Sequence, residues 1–176
     1  MKPCIFTGSA VAIVTPFRAG SIDFNAFDRL VERQIQGGTD AIVVCGTTGE
    51  AATLNYDERM ALIERCVRIV DRRVPVIAGS GTNNTASSVA LSKAAQSAGV
   101  DALLTVTPYY NKASQNGLVR HFPPSPTQLR SLSFSTMSPR APASAARLRP
   151  IKSSPSTRIS QASRRRATIL ISFRKR

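Results

Sequence analysis

The sequence has no tryptophan, one histidine and three cysteines among its 176 residues. Cys4, Cys45 and Cys66 do not have the spacing of metal ligands, and an odd, sparse count argues against a disulfide framework. No apolar run is long enough to span a membrane, and the short run before Pro16 does not have the form of a signal peptide. We therefore predict a cytoplasmic protein with no metal, no cofactor and no membrane partner.

Acidic residues are absent from residues 123–176. All ten Asp and Glu precede that segment, where twelve Lys and Arg nearly balance them, and the segment holds the other twelve basic residues. The net charge of +14 would normally indicate a nucleic-acid partner. However, Phe134 and Phe173 are the segment's only aromatic residues, which leaves little to stack on bases. We do not expect a nucleic-acid partner, and a nucleic-acid-binding arm remains the alternative from another functional class.

Apolar runs and helical patterns alternate four times over residues 1–122. The predicted strands are residues 8–16, 41–45, 75–79 and 102–106, and the predicted helices are residues 23–37, 57–72, 83–99 and a short one from 114. Strands that are apolar throughout indicate a parallel sheet covered by helices, in a doubly wound sheet or a (β/α)8 barrel. Gly79-Ser80-Gly81 lacks the third glycine of a dinucleotide fingerprint. Because a barrel needs roughly 250 residues, the chain could hold only half of one.

The motif Gly46-Thr47-Thr48-Gly49-Glu50 directly follows the second predicted strand. Parallel α/β folds place their chemistry at the C-terminal ends of strands. Glycines allow close approach of a ligand to the backbone, and free N–H groups there favour an anion such as a carboxylate. A tight turn whose hydroxyls only cap a helix explains the motif equally well.

Three motifs in order identify a resemblance that covers residues 5–122. They are Phe6-Thr7-Gly8 through Val14-Thr15-Pro16, the Gly-Thr-Thr-Gly-Glu motif, and Thr105-Val106-Thr107-Pro108-Tyr109-Tyr110-Asn111. Together they resemble the dihydrodipicolinate synthases of lysine (diaminopimelate) biosynthesis, which are (β/α)8 barrels. Related pyruvate aldolases such as N-acetylneuraminate lyase, which typically have Ser where Thr47 stands, are the alternative within the wider family.

The resemblance implies a class I aldolase, in which a lysine forms a Schiff base with pyruvate and the enamine attacks L-aspartate semialdehyde. It implies that Thr47 and Tyr110 belong to a hydroxyl proton relay and that Thr48 binds the pyruvate carboxylate. It also implies a homo-oligomer, a dimer or tetramer, in which Tyr110 enters a neighbouring subunit's active site. Considered alone, the tyrosine pair would more simply be packing residues.

Two further groups of residues have no predicted role in the chemistry. His121 is expected on a helix surface, and Lys93 and Lys112 lie in polar helix or loop sequence rather than on a strand. We therefore predict no Schiff-base lysine in this chain.

The resemblance also implies a lysine-inhibition site, of which Asn83 and Tyr109 remain. Tyr56, Arg59 and Ser87 stand where histidine, histidine and glutamate are expected. Losing the acid removes a charge-assisted contact with the inhibitor, commonly about 1.5–3 kcal/mol, so we expect weak inhibition even in an intact relative.

The resemblance ends after Phe122, and the genetic code offers a reason. Residues 134–143 can be encoded so that a shifted frame reads Leu-Tyr-Asn-Val-Pro-Ser-Arg-Thr-Gly, which resembles the family motif after its fifth strand. In the same frame residues 161–167 permit Gly-Ile-Lys-Glu-Ala, which resembles the Schiff-base lysine motif, at the family's spacing of 28 codons. One nucleotide lost just after Phe122 would explain both.

These inferences give the predicted organisation. Residues 1–122 are the first four βα units of a truncated (β/α)8 barrel, and residues 123–176 are an out-of-frame, disordered basic tail. The chain as written is predicted to be inactive as an aldolase.

Overall fold

The computed structural model of the protein describes residues 5–111 and 113–122, together with the backbone of residues 132–136 and 169–172. The strands are β1 (Ala10–Ala12), β2 (Phe17–Arg18), β3 (Ser21–Ile22), β4 (Ala41–Val44), β5 (Val76–Gly79), β6 (Ala102–Val106), β7 (Leu132–Thr136) and β8 (Ile169–Ser172). The helices are α1 (Phe24–Gln36), α2 (Tyr56–Val70), α3 (Thr85–Ser97) and α4 (Gln115–His121), with a 3₁₀ turn at Thr47–Gly49. The four predicted βα units are thus confirmed.

The main sheet has the order β1-β4-β5-β6-β7-β8, and its first five strands are parallel. Among these strands β4 pairs with β1, β5 with β4 and β6 with β5, and β4, β5 and β6 each follow a helix. The antiparallel hairpin β2–β3, which the sequence reading did not predict, follows β1.

Helices α1, α2 and α3 share one face of this sheet. Helix α2 packs against both α1 and α3, and the larger core combines strand residues such as Ile42 with Phe27 of α1 and Leu62 of α2. The opposite face carries a smaller cluster of strand residues, Ala41, Val43, Ile77 and Ala102, against which Ile5, Phe6 and Leu104 pack. A doubly wound sheet would have helices on both faces. The described residues therefore have the architecture of a partial barrel.

The helix starts follow from local sequence. The Asp23 carboxylate accepts a hydrogen bond from the N–H of Ala26 at 2.9 Å, as the sequence predicts. Helix α2 has a capping box, in which Asn55 and Glu58 each accept a hydrogen bond from the other's main-chain N–H. These caps fix where each helix begins, and so how far each connection extends from the sheet edge.

Two ion pairs join α1 to α2 and to Arg73, three residues beyond the end of α2. Arg65 donates to both carboxylate oxygens of Asp28, and Arg73 does the same to Glu32. The hydrogen bond from Arg65 lowers the pKa of Asp28 below its ordinary value, against the opposing effect of burial. The Arg65 guanidinium also lies 5.8 Å from the centre of the Phe24 ring. Both pairs are partly exposed, so they orient the helices more than they stabilise them.

Strands β7 and β8 lie in the segment that we predict to be disordered. Strand β7 pairs in parallel with β6, and β8 pairs antiparallel with β7, so the structure differs from the prediction at these nine residues. The physical reason is that β6 would otherwise present an unpaired edge, to which short stretches of apolar, β-branched and hydroxyl residues can add. The rest of residues 123–176 lies outside the described residues, and disorder there stays a prediction.

His121 is buried, with 7% of its surface exposed, so the expectation that it lies on a helix surface is wrong. Helix α4 packs through Leu118 and His121. Because the helix is short, its sequence has no repeated apolar pattern that would show which face is buried. None of the described helices is long and apolar enough to cross a membrane.

Candidate functional site

The turn at residues 46–50, called here the Thr-Thr turn, lies at the C-terminal end of β4. The carbonyl of Gly46 accepts hydrogen bonds from the N–H groups of Gly49, at 3.0 Å, and Ala51, at 3.4 Å, and Thr47 accepts from Glu50 at 3.1 Å. Glu50 closes the turn in the left-handed region, with φ of 55°. The backbone therefore reverses within four residues and presents Thr47 and Thr48 at its apex.

Thr47 and Thr48 are both exposed. In the part of the chain that the structure describes, neither their hydroxyls nor their main-chain N–H groups have a hydrogen-bond partner. Two hydroxyls and two N–H groups are thus free to bind a ligand at the edge of the sheet. Such a set of donors suits a small anion, including a carboxylate.

Buried contacts from the residues that follow β1 hold the Thr-Thr turn. The Thr15 hydroxyl donates to the carbonyl of Gly49 at 2.8 Å, and Thr15 is only 6% exposed. A Cβ on Gly49 would lie 3.1 Å from the Ile13 carbonyl oxygen, so the chain just after β1 is packed directly against the turn. The sequence reading missed Thr15, because its partner is 34 residues away and no local pattern marks the contact.

The neighbouring strand approaches the start of the turn even more closely. A Cβ on Gly79, at the end of β5, would lie 1.8 Å from the carbonyl oxygen of Cys45. Cys45 itself has φ of 53°, a conformation that residues other than glycine rarely adopt. The close approach of Gly79 and the left-handed turn at Cys45 together direct the chain out of β4 and into the Thr-Thr turn.

The two thiols of the core have no part in this site. Cys45 and Cys66 are both buried, and burial raises the pKa of each to about 12. They remain protonated thiols at neutral pH, and so poor nucleophiles. Within the described residues no three His, Cys, Asp or Glu side chains are grouped so that they could hold a metal ion.

The second candidate element is the connection between β6 and α4, residues 107–113, called here the tyrosine loop. Tyr109 is 45% exposed, and Tyr110 is 98% exposed with φ of 73°. An almost fully exposed side chain makes few contacts within its own chain. The structure therefore places Tyr110 and Thr47 at the same edge of the sheet without bringing them into one packed site.

One of the two residues retained from the lysine-inhibition pattern, Asn83, contacts the loop that carries the other, Tyr109. Asn83 precedes α3 and is exposed, and its carbonyl accepts from the Asn111 side chain at 3.5 Å, next to the tyrosine pair. Arg59, by contrast, is buried and its guanidinium donates to the Ala51 carbonyl, while its Nε has no partner. Arg59 therefore contacts the residue that directly follows the Thr-Thr turn, and it is buried whereas Asn83 is exposed.

Lys93 lies on the exposed surface of α3. It is therefore not on a strand end, where it could reach a ligand at the Thr-Thr turn. Lys112 lies outside the described residues.

Comparison with known proteins identifies the family of the chain. A model of the dihydrodipicolinate synthetase family matches residues 5–124. The chain belongs to this family. The expected family resemblance is thus confirmed, and it covers the same part of the chain as the three motifs.

The relatives extend well beyond the matched region. The 4-hydroxy-tetrahydrodipicolinate synthase of Geobacter metallireducens is 58% identical over 118 residues, which are 67% of this chain and 41% of the relative. The dihydrodipicolinate synthase structure from Aquifex aeolicus is 43% identical with a TM-score of 0.71, over 74% of this chain and 44% of that one. A structure described as a monomeric dihydrodipicolinate synthase variant is 47% identical with a TM-score of 0.65, over 67% and 39%. This chain thus matches about two fifths of the length of its relatives.

Proposed function

We propose that residues 5–122 are the pyruvate-binding half of a 4-hydroxy-tetrahydrodipicolinate synthase, and that the chain as written does not catalyse the condensation. The Thr-Thr turn carries the proposal. It offers two exposed hydroxyls and two free N–H groups at the C-terminal edge of a parallel sheet, in a chain of this family. The relatives that bear the synthase name are similar to this chain over the whole of that region.

The roles of the site residues follow from their hydroxyl chemistry. Thr48 holds the carboxylate of pyruvate, while Thr47 and Tyr110 belong to the proton relay to and from L-aspartate semialdehyde. A hydroxyl suits a relay because it can donate and accept at once. Tyr110 is 98% exposed, which leaves it free to enter the site of a second subunit, so we propose that a dimer is needed for the complete site. The cytoplasm, where lysine is made, is the proposed location.

The missing nucleophile explains the proposed inactivity. An imine with pyruvate requires a lysine amine positioned near the carboxylate, and hydroxyls cannot replace it. Lys93 is the only lysine in the part of the chain that the structure describes, and it lies on the exposed face of α3. The chain should therefore bind pyruvate weakly at most and form no covalent adduct.

Borohydride trapping tests the missing nucleophile. Incubation with pyruvate and sodium borohydride should add no mass to the intact chain, with an active relative trapped in parallel as the positive control. A stoichiometric adduct on any lysine of this chain would contradict the proposal. Peptide mapping would then identify the lysine.

We also propose that one nucleotide was lost after the Phe122 codon. Sequencing the gene tests this directly, because the shifted frame must encode both the Tyr-Asn-Val-Pro-Ser-Arg and the Gly-Ile-Lys-Glu-Ala motifs. Restoring the nucleotide should then give a longer chain that is trapped by borohydride and turns over both substrates. Codons that do not encode the two motifs would refute the proposal.

A further inference from the structure

His121, the only histidine of the sequence, joins three parts of the fold. It is the last residue of α4, and its Nδ1 lies 2.8 Å from the hydroxyl of Thr85, the first residue of α3. The ring also makes a hydrogen bond with the backbone of Val106, the last residue of β6. The Phe122 ring packs edge-on against it, with 4.9 Å between the ring centres.

These contacts and one made by Asn111 anchor the tyrosine loop at its start and near its middle. The loop begins after Val106 and leads into α4, so the imidazole ties its start to the end of the helix that follows it. The Asn111 side chain donates to the Asn83 carbonyl and attaches the middle of the loop to the approach to α3. Tyr110 has few contacts of its own and lies in the left-handed region, so its position depends on these attachments.

We propose that His121 is the positioning residue of the tyrosine loop, and that its neutral ring holds Tyr109 and Tyr110 in place while protonation loosens them. The use of Tyr110 as a relay group rests on the proposed function. The positioning itself does not, because it follows from the contacts of the ring.

The surroundings of the ring disfavour its protonation. Burial lowers the pKa of His121 below its ordinary value, while the Val106 hydrogen bond opposes this shift. In the tautomer whose other ring nitrogen donates to the Val106 backbone, Nδ1 accepts from the Thr85 hydroxyl. A proton on Nδ1 would force the Thr85 hydroxyl to turn from donor to acceptor and would place a cation against the start of α3, where the helix dipole is positive.

No carboxylate on the adjoining elements compensates for that charge. The only charged residue of α3 is Lys93, eight residues beyond Thr85 and so about 12 Å along the helix, and β6 has none. Helix α4 contributes Arg120, a further cation. Asp101 lies at the opposite end of β6 and accepts from the N–H of Val76.

The test uses the full chain and two independent NMR signals. The single histidine gives one Cε1 proton resonance, whose midpoint reports the ring directly. Fluorotyrosine labelling gives three fluorine resonances, and Tyr56→Phe identifies the one in α2, outside the loop. We expect a histidine midpoint below pH 6.5, the signals of Tyr109 and Tyr110 shifting with that same midpoint, and no change at Tyr56 in that range.

Substitutions distinguish the positioning role of His121 from a general structural role. Thr85→Val removes the hydroxyl while keeping the shape, so the histidine midpoint should rise and the loop signals at pH 7.5 should resemble those of the wild type at low pH. Thr85→Ser should restore both. In His121→Gln the loop signals should no longer respond to pH between 5 and 7.5.

The outcomes that overturn the proposal are equally specific. A histidine midpoint at or above pH 6.5, or loop signals that do not follow it, refutes the positioning role even if Thr85→Val fails to fold. Pyruvate titration at pH 7.5 is measured separately. Coupled signals without pyruvate binding would uphold the role of His121 and contradict the proposed function.

Discussion

Removing the hydrogen bond from the Thr15 hydroxyl to the Gly49 carbonyl would measure how much this bond stabilises the fold around the Thr-Thr turn. The change is Thr15→Val, which keeps the branched shape and removes only the hydroxyl. The Gly49 carbonyl would lose a 2.8 Å hydrogen bond in a place where Thr15 is 6% exposed. Water cannot readily take over the lost partner there.

The magnitude follows from that burial. Leaving one buried carbonyl unsatisfied costs about 1–3 kcal/mol of the free energy of unfolding. The chain offers a matched control in Thr53, whose hydroxyl donates to the Glu50 carbonyl at 2.9 Å in the exposed part of the same region. Thr53→Val should cost less than about 0.5 kcal/mol, because water replaces the bond.

Urea unfolding followed by circular dichroism measures both variants. With a slope near 2 kcal/mol per molar urea, a loss of 2 kcal/mol lowers the midpoint by about 1 M. The Thr53→Val midpoint should stay near that of the wild type. The reasoning is wrong if Thr15→Val has the same urea midpoint as the wild type, or if the two variants lose equal stability.

Three further predictions concern close packing, thiols and acid. Gly79→Ala places a Cβ 1.8 Å from the Cys45 carbonyl oxygen, so we expect a loss of more than about 3 kcal/mol in urea unfolding, or no folded protein. Cys45 and Cys66 should not react with a thiol reagent at pH 8 until the chain is unfolded, because burial raises the pKa of each to about 12. The pKa of Asp28 is lowered from 3.8 by Arg65, so the folded state should lose stability as pH falls below 3.8, and Asp28→Asn should reduce that loss.

Each of these has a control and a contrary result. Gly117→Ala lies in helix α4, where the nearest atom to the new Cβ is 3.4 Å away, and it should fold normally; a stable Gly79→Ala would contradict the packing argument. Rapid labelling of native protein at either core thiol would show that the core opens. For Asp28, identical acid melts of wild type and Asp28→Asn would show that the ion pair contributes nothing.

The regular parts of the fold could be predicted because they depend on short-range patterns. The apolar runs gave β4, β5 and β6 within about a residue, and Asp23 and Asn84 were recognisable as caps before helices of ordinary length. The hairpin β2–β3 could not be predicted because its strands are two residues long, too short to show an alternation of apolar and polar residues.

The supporting contacts of the site could not be predicted in the same way. Thr15 lies 34 residues from Gly49, and Thr85 lies 36 residues from His121, so no local pattern shows either contact. His121 was expected on a helix surface rather than as a ligand, and the structure shows it buried. Its burial depends on how α4 packs against α3, which is set by the tertiary structure.

The strand order along the sheet has a consequence for biosynthesis. Each of the strands β4, β5 and β6 pairs with the parallel strand synthesised just before it, and needs no partner from later in the chain. At about 5–20 residues per second, the ribosome completes residue 122 roughly 6 to 24 seconds after starting. The Thr-Thr turn, whose supporting contacts come from Ile13, Thr15 and Gly79, can therefore form during translation, before the segment beyond Phe122 has left the ribosome. A nascent chain stalled after Phe122 should already contain this turn.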